Sequence, residues 1–137
     1  MFARSVRWMA LSLALLSAPA LAGEREEAEQ AGKTWLSLTD SGKYAESHGA
    51  AGKFFRDALT AESWVGQVKA VRGPLGKLVA RKLKTATSSK TLPGAPDGDY
   101  VVMTFDSSFE NKKSAVETVT VVKEPDGKLR VVGYFIR

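Results

Sequence analysis

Apolar and polar positions change their period once along this chain. As far as Arg72 the apolar residues return every three or four positions; from Leu78 onward they alternate. The first spacing marks one face of a helix, the second a strand with one face buried. Ala28, Ala31, Trp35 and Leu38 predict a helix over Glu24 to Leu38, with Trp35 as its core anchor. Its acidic first turn (Glu24, Glu26, Glu27, Glu29) suits the positive end of a helix dipole. Asp40-Ser41-Gly42 closes it, since glycine takes the left-handed conformation that ends helices. Lys43 to Ala58 is helical but interrupted: Gly49 and Gly52 each cost about 1 kcal/mol relative to alanine, which predicts two short helices or a kink. Phe54, Phe55, Ala58 and Leu59 add apolar bulk. Thr60 is the N-cap of a further helix with Glu62 in its first turn and Trp64, Val68 and Val71 on its inward stripe. Pro74 disfavours helix at Gly73 and turns the chain out, and Gly76 allows a second turn. The stretch from Trp64 to Phe109 therefore contains the change from helix to sheet.

Beyond that corner the pattern predicts a strand from Leu78, with an exposed Ser- and Thr-rich continuation to Thr91. Pro93 to Gly98 is a concentrated turn signal. Tyr100 to Phe109 is the strongest strand, with Val101, Met103, Phe105, Ser107 and Phe109 on one face and Asp106 on the other. Glu110 to Lys113 is a polar turn. Ser114 to Lys123 is a strand dense in β-branched residues, and Glu124 to Lys128 a hairpin turn built on Pro and Asp-Gly. Leu129 to Ile136 is a last apolar strand, expected to tuck into the sheet. Helices followed by hairpin-linked strands specify an α+β fold, with N-terminal helices packed on a four-stranded antiparallel meander sheet. A curved sheet of this kind around a long helix would give a cone with an open mouth.

The first residues belong to targeting rather than fold. Arg4 and Arg7 precede the apolar run Trp8 to Ser17, followed by Pro19 and the small residues of Ala20-Leu21-Ala22. This is a secretory signal peptide, residues 1–22, with cleavage expected after Ala22. The other reading, an N-terminal membrane anchor, would need about 20 apolar residues. The mature chain, 23–137, is expected to be a single α+β domain, periplasmic or secreted, with no stable membrane span after cleavage. The sequence contains no cysteine. A lipid-anchored lipoprotein, thiol chemistry and thiolate metal sites are thereby excluded, and the fold must stand on its core without disulfides. Of the formal net charge of +5, Arg4 and Arg7 lie in the leader. The remainder does not call for nucleic acid, and none is expected as a partner.

Catalytic patterns are scarce. His48 is the only histidine, so paired-histidine metal spacings are impossible, and it is read as a surface or hydrogen-bonded residue. No metal site and no cofactor are expected. Gly73-Pro74-Leu75-Gly76-Lys77 lacks the Lys-Ser/Thr ending of a phosphate loop and lies between helix and strand in the wrong order. Ser107 and Ser108 have no nucleophile elbow around them. Asp106 and Glu117 lie on adjacent strands, and a turn centred on Asn111-Lys112 would oppose them directly. Close carboxylates would raise one pKa and create an acid/base pair. Against this, both could face solvent, or Arg72 or Lys113 could neutralise them; a one-residue slip in register would send one to the other face. The basic cluster of Lys69, Arg72, Lys77, Arg81, Lys82 and Lys84 could meet an acidic envelope partner, or be a charged edge strand protected from aggregation.

Several segments resemble domain-of-unknown-function family 4019, a bacterial family of small exported proteins. They are Trp35-Leu36, Gly42-x-Tyr44, Phe55-Arg56, Trp64, Ala70 to Gly76, Leu92 to Tyr100, Phe109, Glu117-Thr118-Val119 and Gly133 to Arg137. The two glycine-proline segments are the most specific. The resemblance covers nearly all of the mature chain. It implies a small periplasmic or secreted α+β domain, similar to an NTF2-like or cystatin-like cone, and brings no activity with it. The leading expectation is a non-catalytic binding or interaction module for a small molecule or an envelope protein, with Trp64, Arg72, Phe105 and Tyr134 lining any cavity. Two alternatives are a cone-shaped enzyme using Asp106 or Glu117 as acid or base, and a structural envelope protein forming a homodimer through an apolar sheet face.

Overall fold

A computed structural model describes residues 21–137. The expected signal peptide, 1–22, lies almost wholly outside the described residues. Four helices come first: α1 (Ala22–Asp40), α2 (Tyr44–Ala50), α3 (Lys53–Ala58) and α4 (Ala61–Arg72). A 3-10 turn (Gly73–Leu75) leads to β1 (Leu78–Ser89), β2 (Tyr100–Phe109), β3 (Lys112–Lys123) and β4 (Leu129–Ile136). The strands form one antiparallel sheet in the order β1-β2-β3-β4, a meander as expected. Among the described residues no helix is long and apolar enough to cross a membrane.

The local signals account for most boundaries. Gly42 closes α1 at φ 73°. Thr60 caps α4 by accepting a hydrogen bond from the Ser63 backbone N–H at 3.1 Å. The interrupted helical region is two helices, α2 and α3, with Gly52 buried at their junction. A Cβ on Gly52 would sit 2.6 Å from Val132 Cγ1, and its N–H donates to Val131 O at 2.7 Å. Glycine is needed there because the helical layer touches the sheet edge backbone to backbone. Gly76, at φ 74°, turns the chain into β1. Asn111 clamps that corner through its backbone N–H to Leu75 O and its side-chain Nδ2 to Pro74 O.

The core lies between α1, α2, α4 and the inner face of the sheet. Leu36, Met103, Phe105, Val119 and Val121 are fully buried, each stabilising the fold by about 1.5–3 kcal/mol through removal from water. Trp35 is buried as expected and donates its indole N–H to Ser47 O at 2.8 Å. It meets Tyr134 edge-on, ring centroids 5.3 Å apart, and Trp64 at 6.0 Å, geometries aromatic pairs favour. The apolar stripe of α1 is rotated from the expected one: Leu36 is inside and Leu38 only partly so. Phe54, counted as apolar bulk, is 39% exposed while Phe55 is buried.

The last strand joins the sheet as expected, lying at its edge beside β3. One expectation is corrected. The β2–β3 register differs by one residue from a turn centred on Asn111-Lys112. Phe109 pairs with Lys112 across a two-residue Glu110-Asn111 turn, and an irregularity at Ser108 then sets Phe105 opposite Glu117 and Asp106 opposite Val116.

Candidate functional site

Because opposed residues share a face, this register sends Glu117 inward beside Ser107 and leaves Asp106 outside. Asp106 is 59% exposed on its side chain, 4.0 Å from Lys84. The proposed acid/base pair is therefore not brought together. Glu117 instead lies at the centre of a buried polar cluster at the β1–α4 end of the inner face. It is fully buried. Arg81 Nε donates to Oε1 at 2.8 Å and Arg81 Nη2 to Oε2 at 3.2 Å. Ser107 Oγ donates to Oε1 at 2.6 Å, and the Tyr134 hydroxyl to Oε2 at 2.5 Å. A carboxylate has about four acceptor positions, and all are used.

The same Arg81 forks onto Asp40, Nη1 to Oδ2 at 2.8 Å and Nη2 to Oδ1 at 3.0 Å. Arg72, at the last turn of α4, reaches the edge of this arrangement. Its Nη2 lies 3.3 Å from Asp40 Oδ1, its Nη1 donates to Gly76 O at 2.5 Å, and its guanidinium carbon sits 4.5 Å over the Phe109 ring. Two arginines thus meet two carboxylates, so the cluster is formally neutral. Burial opposes the Arg81 charge, but hydrogen bonds and attraction from Asp40 and Glu117 outweigh it and hold its pKa above the ordinary value. Burial, followed by the Glu117 charge, pushes the Tyr134 hydroxyl well above its ordinary value. Tyr134 is therefore a donor at any physiological pH.

Beside this cluster a cleft of about 210 Å³ opens between α4 and the free side of β4, lined by Trp64, Val68, Val71, Arg72, Tyr134 and Phe135 among others. Trp64, Arg72 and Tyr134, expected at a cavity from sequence, do line it. Phe105 does not reach it; it is fully buried in the core, with its ring end close above Gly32. Val71 and Phe135 at the rim are 52% and 57% exposed. Wider surface depressions elsewhere, such as that between the start of α1 and Lys128, bring no buried polar cluster with them. His48 lies apart, with Nε2 2.6 Å from Leu59 O. Among the described residues no group of three or more His, Asp or Glu is placed to hold a metal.

The basic cluster read from sequence separates in space. Arg72 and Arg81 are buried ion-pair partners, whereas Lys69, Lys77, Lys82 and Lys84 are exposed. Sequence reading missed Asp40, seen only as a helix end, and assigned Arg81 to a charged edge. A signal for Glu117 was present: it shares the parity of Val119 and Val121. No local signal could have paired Asp40 with Arg81, forty-one positions apart. The outer face of the sheet carries Thr104, Thr118 and Thr120 together with half-buried Val102, Val116 and Val122 and, opposite Thr118, the exposed Phe135.

Comparison with solved structures finds the same fold at low identity. A protein from Catenulispora acidiphila is 13% identical, with a TM-score of 0.54 over 85% of this chain and 91% of that one. Aln2 from a Streptomyces species is also 13% identical, with a TM-score of 0.53 over 88% of this chain and 93% of that one. At this identity the likeness extends to the fold alone. No curated protein matches the chain. The family described as "Protein of unknown function (DUF4019)" matches residues 31–134, which span α1 to β4 and hold every residue of the polar cluster and most of the cleft; the chain belongs to that family.

Proposed function

We propose that this protein is an exported, non-catalytic binding module whose ligand site is the cleft between α4 and β4. The observation that carries the reading is the state of Glu117. Glu117, bonded to the cleft-lining Tyr134, has every acceptor position occupied by Arg81, Ser107 and Tyr134, so it has no lone pair free to take a proton from a substrate; Asp40, bonded to the cleft-lining Arg72, is held in turn by Arg81. The cleft beside it has the features of a small-ligand site: aromatic and aliphatic walls with few, convergent polar groups. In this reading the helices on the sheet form an NTF2-like or cystatin-like cone, and the cleft is its mouth. Export is motivated by the leader, residues 1–22, and places the site in the periplasm or outside the cell.

Native mass spectrometry of mature protein purified from the exported fraction tests this. A mass above the bare chain, lost on denaturation, is expected, together with an N-terminus at Gly23. A bare chain, or a chain still carrying residues 1–22, would overturn the binding or the export half of the reading respectively.

A further inference from the structure

We infer that the α4–β4 cleft takes a small organic carboxylate, with Arg72 as its charge partner and Trp64, Val68 and Phe135 against its apolar body. The inference rests on the binding-module reading and names the ligand class of that site.

The starting point is the uneven sharing of charge inside the polar cluster. Arg81 holds both carboxylates with two bonds each, at 2.8–3.2 Å. Arg72 is left with one long contact to Asp40, 3.3 Å, and a backbone carbonyl. Its side chain is only 4% exposed. Among the described residues, its Nε is the one buried side-chain polar atom with no hydrogen-bond partner. A buried guanidinium in this state is costly, because desolvation is not offset by full pairing.

Arg72 is also the only charged side chain among the described residues that line the cleft. Its positive charge therefore acts on a space whose other walls are Trp64, Val68, Val71 and Phe135. Such a low-dielectric surround strengthens the attraction for an anion, and the planar guanidinium suits a carboxylate. A cation would be repelled. A neutral ligand could offer the Nε–H an acceptor but no charge to pair with the guanidinium. A phosphate dianion would call for more donors than one shared arginine and Gln67 provide. The volume, about 210 Å³, equals that of about seven waters, so the ligand is small. Nε is buried, so bulk water does not reach it; an anion between the apolar walls that draws the Arg72 guanidinium toward the cleft supplies the missing acceptor.

The test uses matched acid and amide probes on the mature protein: octanoate against octanamide, and phenylacetate against phenylacetamide, followed by amide and indole NMR shifts. The acids are expected to move the signals of Trp64, Val68, Val71 and Tyr134 to Ile136, and to bind at least about tenfold more tightly than their amides, as expected for a hydrogen bond between charged groups. Arg72→Gln is expected to remove that difference. Should the variant not fold, the wild-type acid and amide pairs still decide. Amides binding in the cleft as tightly as acids would overturn the anion inference while leaving the binding module standing. Acids that perturb only other surfaces, or none, would overturn it too. Whether the site is occupied at all is read separately, by the mass of the exported protein.

Discussion

The inner face of the sheet carries two regions that are equally dry and chemically opposite. Val101, Met103, Val119 and Val121 form one half; Ser107, Glu117 and Arg81 form the other. Met103, Val119 and Glu117 are all 0% exposed. The apolar half is held by removal from water and close packing, and each side chain contributes nearly on its own. The ionic half is held by mutual satisfaction: every group there is tolerated only while its partners remain. A buried pair of this kind adds little net stability, but breaking it by removing one member costs about 3–5 kcal/mol, since an uncompensated charge stays inside. The cleft opens only beside the ionic half, next to the arginine that is least completely paired.

Substitutions can break or sharpen this contrast. The largest effect is expected from Glu117→Ala, which strands part of Arg81 and leaves Ser107 and Tyr134 without their acceptor. A loss of about 3–5 kcal/mol should appear as a lower urea midpoint. Val119→Ala, two positions away on the same face, removes two methyl groups and leaves a small void; about 2 kcal/mol is expected in the same measurement. If Val119→Ala proved the more damaging, the ionic half would be no more than filler and the contrast would fail.

Tyr134→Phe is milder, about 1.5 kcal/mol, since Arg81 and Ser107 still hold Glu117. Its pH dependence is more telling. The Tyr134 hydroxyl titrates above its ordinary value in the fold, through burial first and then the Glu117 charge. Its stabilisation is therefore complete below the unfolded value of about 10 and is lost as the pH rises beyond it. The gap between wild type and Tyr134→Phe should narrow when urea midpoints taken at pH 8 are compared with those taken above pH 10; a constant gap would show that the hydroxyl is not held against ionisation.

The smallest effect belongs to the surface. Asp126 is lowered to about 2 by hydrogen bonds from the Arg130 guanidinium and then from the Lys128 backbone N–H. Its contribution is present above the ordinary value of 3.8 and fades as the pH falls toward 2. An NMR titration of Asp126 with a midpoint near its ordinary value would remove it. Asp126→Asn should only flatten this acid limb slightly, since exposed pairs contribute little.

The fold was largely legible because its signals are local. The Trp64 and Val68 spacing gave α4 its inward face, though Arg72 continues that face and Val71, expected on it, is exposed at the cleft rim; Thr60 gave the helix its start, and Gly73-Pro74 with Gly76 its corner. Pro125-Asp126-Gly127 gave the last hairpin. The site was legible in part. Trp64, Arg72 and Tyr134 are large, partly polar side chains at inward positions near element ends, and they do meet at one cleft. Phe105 shared the first property and not the second: it sits mid-strand, where the core closes over it. Asp106 and Glu117 were misplaced together, because their relation depends on a turn one residue away from the expected one and on an irregularity at Ser108.

By itself the chain determined the order, type and approximate limits of its helices and strands. Period, capping and turn chemistry act over a few residues and do not wait for the rest of the fold. Only the tertiary structure decided which charges were buried. Arg81 lies in a run of lysines with nothing nearby to set it apart, and it becomes an interior residue because α1 ends with Asp40 above β1 and β3 turns Glu117 toward it. The meeting of those elements, separated by most of the chain, is also what leaves Arg72 half-paired at the edge of an open cleft.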